Sequence, residues 1–234
     1  MRPTSGFSLV ELAMVLVILG LLVGGILAGR SLIHAGELRR VSTDIGKYRT
    51  AIYAFRDRYL GFPGDITNAT QFWGTDSGGC HGGNAGTCNG NGDGMVDAYE
   101  GAVAWEQLSL TGLVEGNYNA VRSLPVVLGT ELPLSPFPQA GYQIWYIDRA
   151  GVFLYNSGNG IRLAKPKTNE AGNLGARFLL PEDAWNIDTK SDDGLPDTGR
   201  VTASNDTGCI GSSAPYAYQL DRTTSFSCAL MFRF

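Results

Sequence analysis

A chain of 234 residues with 44% apolar side chains is long enough for one sizeable buried core and too apolar for a disordered polymer. Its net charge of −4 is unevenly spread: residues 30–58 hold seven Lys/Arg against three acids, whereas residues 59–234 hold ten against eighteen, so most of the chain argues against binding nucleic acid. The two histidines, His34 and His81, sit in no nucleophile motif, and Gly90–Gly94 lacks the Lys and Ser/Thr of a phosphate loop, so no catalytic residues and no enzyme are expected.

The chain opens with a short hydrophilic stretch, Met1 to Gly6, followed by Phe7-Ser8-Leu9-Val10-Glu11 and eighteen residues without a charge, Leu12 to Gly29. About 20 apolar residues rising 1.5 Å each span a bilayer core. The carboxylate of Glu11 near the start of that run is costly, about 2.5–3.5 kcal/mol at a helix centre and less toward an interface, so a partner that neutralises it is expected. The run is too long for the apolar region of a secretory signal peptide, and no small-x-small cleavage site ends it.

A leader ending in Gly, then Phe, then Glu four residues on, resembles the processing signature of type IV prepilins and type II secretion pseudopilins; the likeness covers about the first 30 residues. It implies that a prepilin peptidase cuts between Gly6 and Phe7 and methylates the new amine of Phe7. That amine, with a pKa of about 8, is cationic near neutral pH and can pair with Glu11 of a neighbouring subunit inside an apolar bundle. The resemblance implies other pilin or pseudopilin subunits, an assembly ATPase and an inner-membrane assembly platform as partners. It also implies a chain that crosses the inner membrane once before assembly, its head periplasmic, and then joins a filament.

Gly20, Gly24, Gly25 and Gly29 make two Gly-x-x-x-Gly spacings, which allow close helix approach and are also common in membrane helices generally. From Leu38 the apolar spacing Leu38, Val41, Ile45, Tyr48, Ile52, Phe55 predicts an amphipathic helix over 30–58 with one face laid on a sheet. If continuous from Phe7 to Arg58, the helix is about 78 Å long. No proline interrupts it, and Gly61 and Pro63-Gly64-Asp65 end it.

The head, 59–234, begins with a Gly/Asn-rich loop over 74–97. Within it, Asn89, Asn91, Asp93, Gly94, Asp97 and Glu100 stand at positions 1, 3, 5, 6, 9 and 12 of a calcium-loop template. Glu100 is the expected bidentate ligand, the Met95 carbonyl fills position 7, and Asp97 supplies a direct or water-bridged oxygen. Asn at position 1 removes a charge, the Gly-rich stretch before it cannot be an entering EF-hand helix, and loops of this composition also meet the template by chance. A weaker acid cluster is Asp188, Asp192, Asp193 and Asp197.

A short helix is expected over Asp97 to Leu113, with Tyr99, Ala102, Val103, Leu110 and Val114 near one face. Strands follow at Tyr142–Ile147 and Gly151–Tyr155, joined by a tight turn at Asp148–Ala150; further strands are expected at Ile161–Ala164, Arg200–Ala203, Tyr216–Leu220 and Cys228–Phe234, with a short helix from Pro181 to Trp185. The even number of cysteines beyond a membrane segment is read as two disulfides in an oxidising compartment; four cysteines allow three pairings, and the local one, Cys80–Cys88 with Cys209–Cys228, is expected. The resulting fold is α+β and pilin-like, a long amino-terminal helix packed on an antiparallel sheet. The competing function is a monomeric membrane-anchored calcium-binding module or adhesin that does not polymerise.

Overall fold

The computed structural model describes residues 8–74, 89–97, 99–147, 153, 158–224 and 226–234. One helix, α1 (Leu9–Tyr59), runs unbroken for 51 residues. Ser8 caps its start: the Val10 amide donates to the Ser8 hydroxyl at 3.4 Å, and Glu11 reaches back to accept the Ser8 amide at 2.9 Å. Its end is earlier than the glycines suggest. Leu60 takes a left-handed conformation (φ 60°) and donates its amide to the Arg56 carbonyl, closing the last turn.

The helix changes partner halfway. Every described residue before Gly29 is exposed, although Leu12 to Leu27 are almost all apolar. From Leu38 the expected seam is buried, with Leu38, Val41, Ile45, Ile52 and Phe55 inside and Tyr48 packed against them.

The head adds α2 (Ala69–Trp73), α3 (Glu100–Leu110), β1 (Gly141–Ile147), β2 (Gly158–Pro166), β3 (Leu174–Ala176), α4 (Pro181–Ser191), β4 (Val201–Ala203) and β5 (Leu230–Arg233). The sheet is antiparallel, ordered β1-β2-β5-β4, with β3 on β2. This is an α+β fold with a long amino-terminal helix.

Several local expectations are corrected. An antiparallel partner of β1 is β2, with Gly141 opposite Ala164 and Ile147 opposite Gly158, so the strand expected at Ile161–Ala164 begins earlier, at Gly158. The tight turn at Asp148–Ala150 and all of Gly151–Tyr155 except Phe153 lie outside the described residues; Phe153 bridges Ser204. Tyr216–Leu220 makes one isolated bridge, Ile210 with Tyr218, and not a strand. The helix from Pro181 passes Trp185 and continues to Ser191, because Ala184, Ile187 and Asp188 keep a buried face at helical spacing.

The largest contacts of α1 are with α4 and α3, and Tyr142 of β1 also reaches it. Tyr48 stands edge-on to both Trp105 of α3 and Tyr142 of β1, with ring centroids 4.8 and 5.2 Å away. Lying between α1 and β1, α3 is buried over Glu100–Leu108 instead of along one stripe, while Tyr99 and Leu110 are exposed. Gly101 makes this possible: a Cβ there would overlap the carbonyl oxygen of Ile144.

Candidate functional site

Two parts of the chain carry chemistry: the start of α1 and the loop leading into α3. Gly6, Phe7, Cys80 and Cys88 lie outside the described residues. Glu11 is described, its carboxylate in the capping box with Ser8.

The loop over 89–97 is held against the turn after α1 by backbone packing. A Cβ at Gly90 would collide with the backbone of Gly64 and Asp65, and one at Gly64 (φ 88°) with the carbonyl of Glu100. This contact brings in a residue that no spacing within the loop contains. Asp65, 3% exposed, accepts the Gly92 and Gly94 amides at 2.8 and 2.9 Å, one on each carboxylate oxygen. Asp65, Asp93 and Glu100 each place a carboxylate oxygen within 4.8 Å of the other two.

Glu100, also 3% exposed, accepts the Asn91 amide at 2.9 Å and the Asp97 amide at 3.2 Å. Asn91 and Asp93 each accept the amide two residues on, those of Asp93 and Met95, both at 2.8 Å. Asn89 turns its side-chain oxygen to the Thr70 amide of α2 at 2.9 Å, and Asp97 caps α3 by accepting the Tyr99 and Glu100 amides. Of the sequence-derived ligands, then, Asp93 and Glu100 converge with Asp65, while Asn89 and Asp97 are engaged at the two adjoining helices. Asp65 sits 24 residues before Asn89; the Pro63-Gly64-Asp65 turn was legible as a helix end, but nothing local marked it as a neighbour of the loop.

Burial sets the electrostatics. It raises the Glu100 carboxyl to about 7, with the nearby Asp65 and Asp97 adding and the two amide hydrogen bonds opposing. Burial likewise raises Asp65, against the Gly94 and Gly92 amides. Close carboxylates removed from water favour a proton or a hard cation, and an all-oxygen donor set suits Ca²⁺ or Mg²⁺ over softer metals.

The second acid cluster is built into the fold. Asp188, fully buried on α4, accepts the Tyr218 hydroxyl at 2.8 Å and the Gly194 amide at 3.2 Å; burial pushes it up to about 7. Asp192 accepts the Arg200 and Val201 amides, and Asp193 accepts the Leu195 amide and the Thr198 hydroxyl. These bonds tie the turn after α4 to β4. Cys209 and Cys228 form the expected disulfide, closing a loop across 19 residues. Arg162, on β2 and 4% exposed, lies over the Trp145 ring at 4.4 Å and donates to Gln143 at 2.6 Å, with burial lowering it to about 9. It ties β2 to β1.

Residues 1–27 match the family model of the prokaryotic N-terminal methylation motif, the prepilin-type signature carried by substrates of prepilin peptidase. No curated protein and no solved structure matches the chain. The long helix is apolar enough over its first half to cross a membrane.

Proposed function

We propose that this chain is a structural subunit of a type IV pilus-like or type II secretion pseudopilus filament, processed between Gly6 and Phe7, methylated at Phe7 and assembled through α1. One observation carries the reading: the methylation motif opens directly into a half-helix whose apolar side chains are all exposed. Such a surface needs lipid before assembly and other helices after it. Gly20, Gly24, Gly25 and Gly29 leave open space around the backbone for a close-packed neighbour. Glu11 lies within this surface, where the cationic amine of a neighbouring Phe7 would neutralise it.

The test is the state of the amino terminus and the fate of Glu11. In membranes containing prepilin peptidase, the mature chain begins at methylated Phe7; an intact leader overturns the proposal. Glu11→Val is still cut, because the cut lies at Gly6, but is not incorporated into filaments.

The loop chemistry supports a second, separate assignment, that Asp65, Asp93 and Glu100 bind calcium, with Asn91 and the Met95 carbonyl as further ligands from the same loop. It is compatible with a filament subunit and with a monomeric membrane-anchored module. Intermolecular cross-linking through α1 separates the two: a chain that binds calcium but never cross-links to itself or to a pilin is the module.

A further inference from the structure

The seam of α1 is flanked by two grooves at the same height. On one flank Arg49 and Tyr53 of α1 meet Arg200 and Arg233 around a cavity of about 250 Å³. A smaller adjoining cavity adds Lys190. No Asp or Glu side chain lines either cavity, although residues 59–234 as a whole are acidic. The sheet enforces the clustering: Val201 pairs with Phe232 and the Arg233 amide donates to the Arg200 carbonyl at 2.8 Å, which sets two arginines side by side across the ladder. Arg49 of α1 stands beside them as a third. Arg233 is steadied by the Gly199 carbonyl at 3.0 Å, and among the described residues Arg49, Lys190 and Arg200 make no ion pair.

The other flank is an open groove of about 670 Å³, with Ala51, Ala54, Leu113 and Val114 as its apolar wall and Glu115 at its rim. Two cations line it as well. Arg40 faces Asp44 at 3.6 Å, while Lys47 stands along the helix. With Asp44 held by Arg40 and by the Tyr142 hydroxyl, Glu115 is the carboxylate of this flank that no described residue engages.

We infer that the two flanks are the halves of one heterologous interface between successive copies of this chain, Arg49 and Arg200 of one copy receiving Glu115 of the next. The inference rests on the filament reading. A contact between different patches propagates as an open helix unless its rotation closes a ring, whereas a shared patch would stop at a dimer. Both grooves line α1 between residues 40 and 54, so a lateral neighbour joins them with little axial shift. The Glu11–Phe7 pairing implies such a shift, four residues or about 6 Å. Tyr53, 40% exposed beside the arginines, and Leu113, 36% exposed beside Glu115, supply apolar contact. A membrane headgroup fits the arginines less well, since Arg49 lies 20 residues, about 30 Å of helix, beyond the uncharged run. A long polyanion would have to lie along an acidic head.

The test is charge exchange in the full chain, in cells with prepilin peptidase and the assembly machinery. Arg49→Glu and Glu115→Arg should each lower filament yield about tenfold, and the double variant should restore it. As a check that does not depend on losing assembly, Arg49→Lys filaments treated with a zero-length carbodiimide should yield a peptide joining positions 49 and 115 of different copies. Filaments that form normally with either single charge reversal, or that give no such peptide, overturn this interface and leave the filament reading standing. Absence of any filament from the wild-type chain overturns both.

Discussion

His34 on α1 and Asp183 on α4 are 2.7 Å apart, Nε2 to Oδ1, and tie the helix to the head just past the membrane-length run. Burial of the imidazole opposes its charge, but the hydrogen bond and charge of Asp183, helped by Glu37 at 3.5 Å, outweigh it and raise the His34 pKa. A histidine raised in the folded state contributes stability fully below its ordinary pKa of about 6.5 and loses it as pH climbs through the raised value. His34→Ala, purified in detergent, should therefore melt about 1–3 °C below wild type at pH 5.5 and together with it at pH 8.5, the effect kept small by the exposure of the ring. Equal differences at both pH values would show that the imidazole acts by packing alone, against Phe137.

The acid cluster at the loop gives a pH dependence of the same direction by a different route. Glu100, raised to about 7 mainly by burial, holds a proton when folded that it would lose when unfolded between about pH 4.5 and 7. Its share of stability falls across that window without a divalent cation. Calcium should reverse the fall, because a bound cation replaces the proton. A chain in millimolar calcium at pH 7.5 should melt several degrees above the same chain in chelator, since a hundredfold excess over Kd contributes about 2.7 kcal/mol.

Glu100→Ala and Asp65→Ala should each abolish most of that calcium shift, whereas Asn89→Ala should leave most of it, because Asn89 serves the Thr70 amide. An unchanged shift in Asp65→Ala would move the ion away from the helix-end turn. If Glu100→Ala, too, responds as wild type does, the loop does not bind the ion.

Gly101→Ala tests how α3 is seated. On helix propensity alone, alanine would stabilise α3 by about 1 kcal/mol. Its Cβ would instead meet the Ile144 carbonyl, so α3 must move off β1 at a cost of about 1–3 kcal/mol. Chemical denaturation that shows a more stable variant would refute the close packing.

Removing the Cys209–Cys228 disulfide by paired serine substitutions should lower stability by about 3 kcal/mol, the chain-entropy figure for a loop of this size. The effect should spread beyond the loop, because the Cys228 carbonyl accepts the Phe178 and Leu179 amides at the start of the α4 segment. Non-reducing peptide mapping that joins Cys209 to Cys80 or Cys88 would contradict the pairing.

The sequence by itself determined what depends on neighbours a few residues apart. Periodicity alone sufficed for the continuous α1 and its seam from Leu38 to Phe55, and the Gly6–Glu11 spacing for the methylation motif. The nearby Cys209 and Cys228 were legible as a pair for the same reason. Tertiary structure alone decided which distant segments meet. It brought Asp65 to Glu100, paired β1 with β2, covered α3 on both sides, and gathered Arg49, Arg200 and Arg233 beside one flank of α1. A helical or strand period says which face is buried but not against what. The partner is chosen by the packing of backbones that side-chain spacing does not encode, as where Gly64, Gly90 and Gly101 let segments far apart in sequence come into contact.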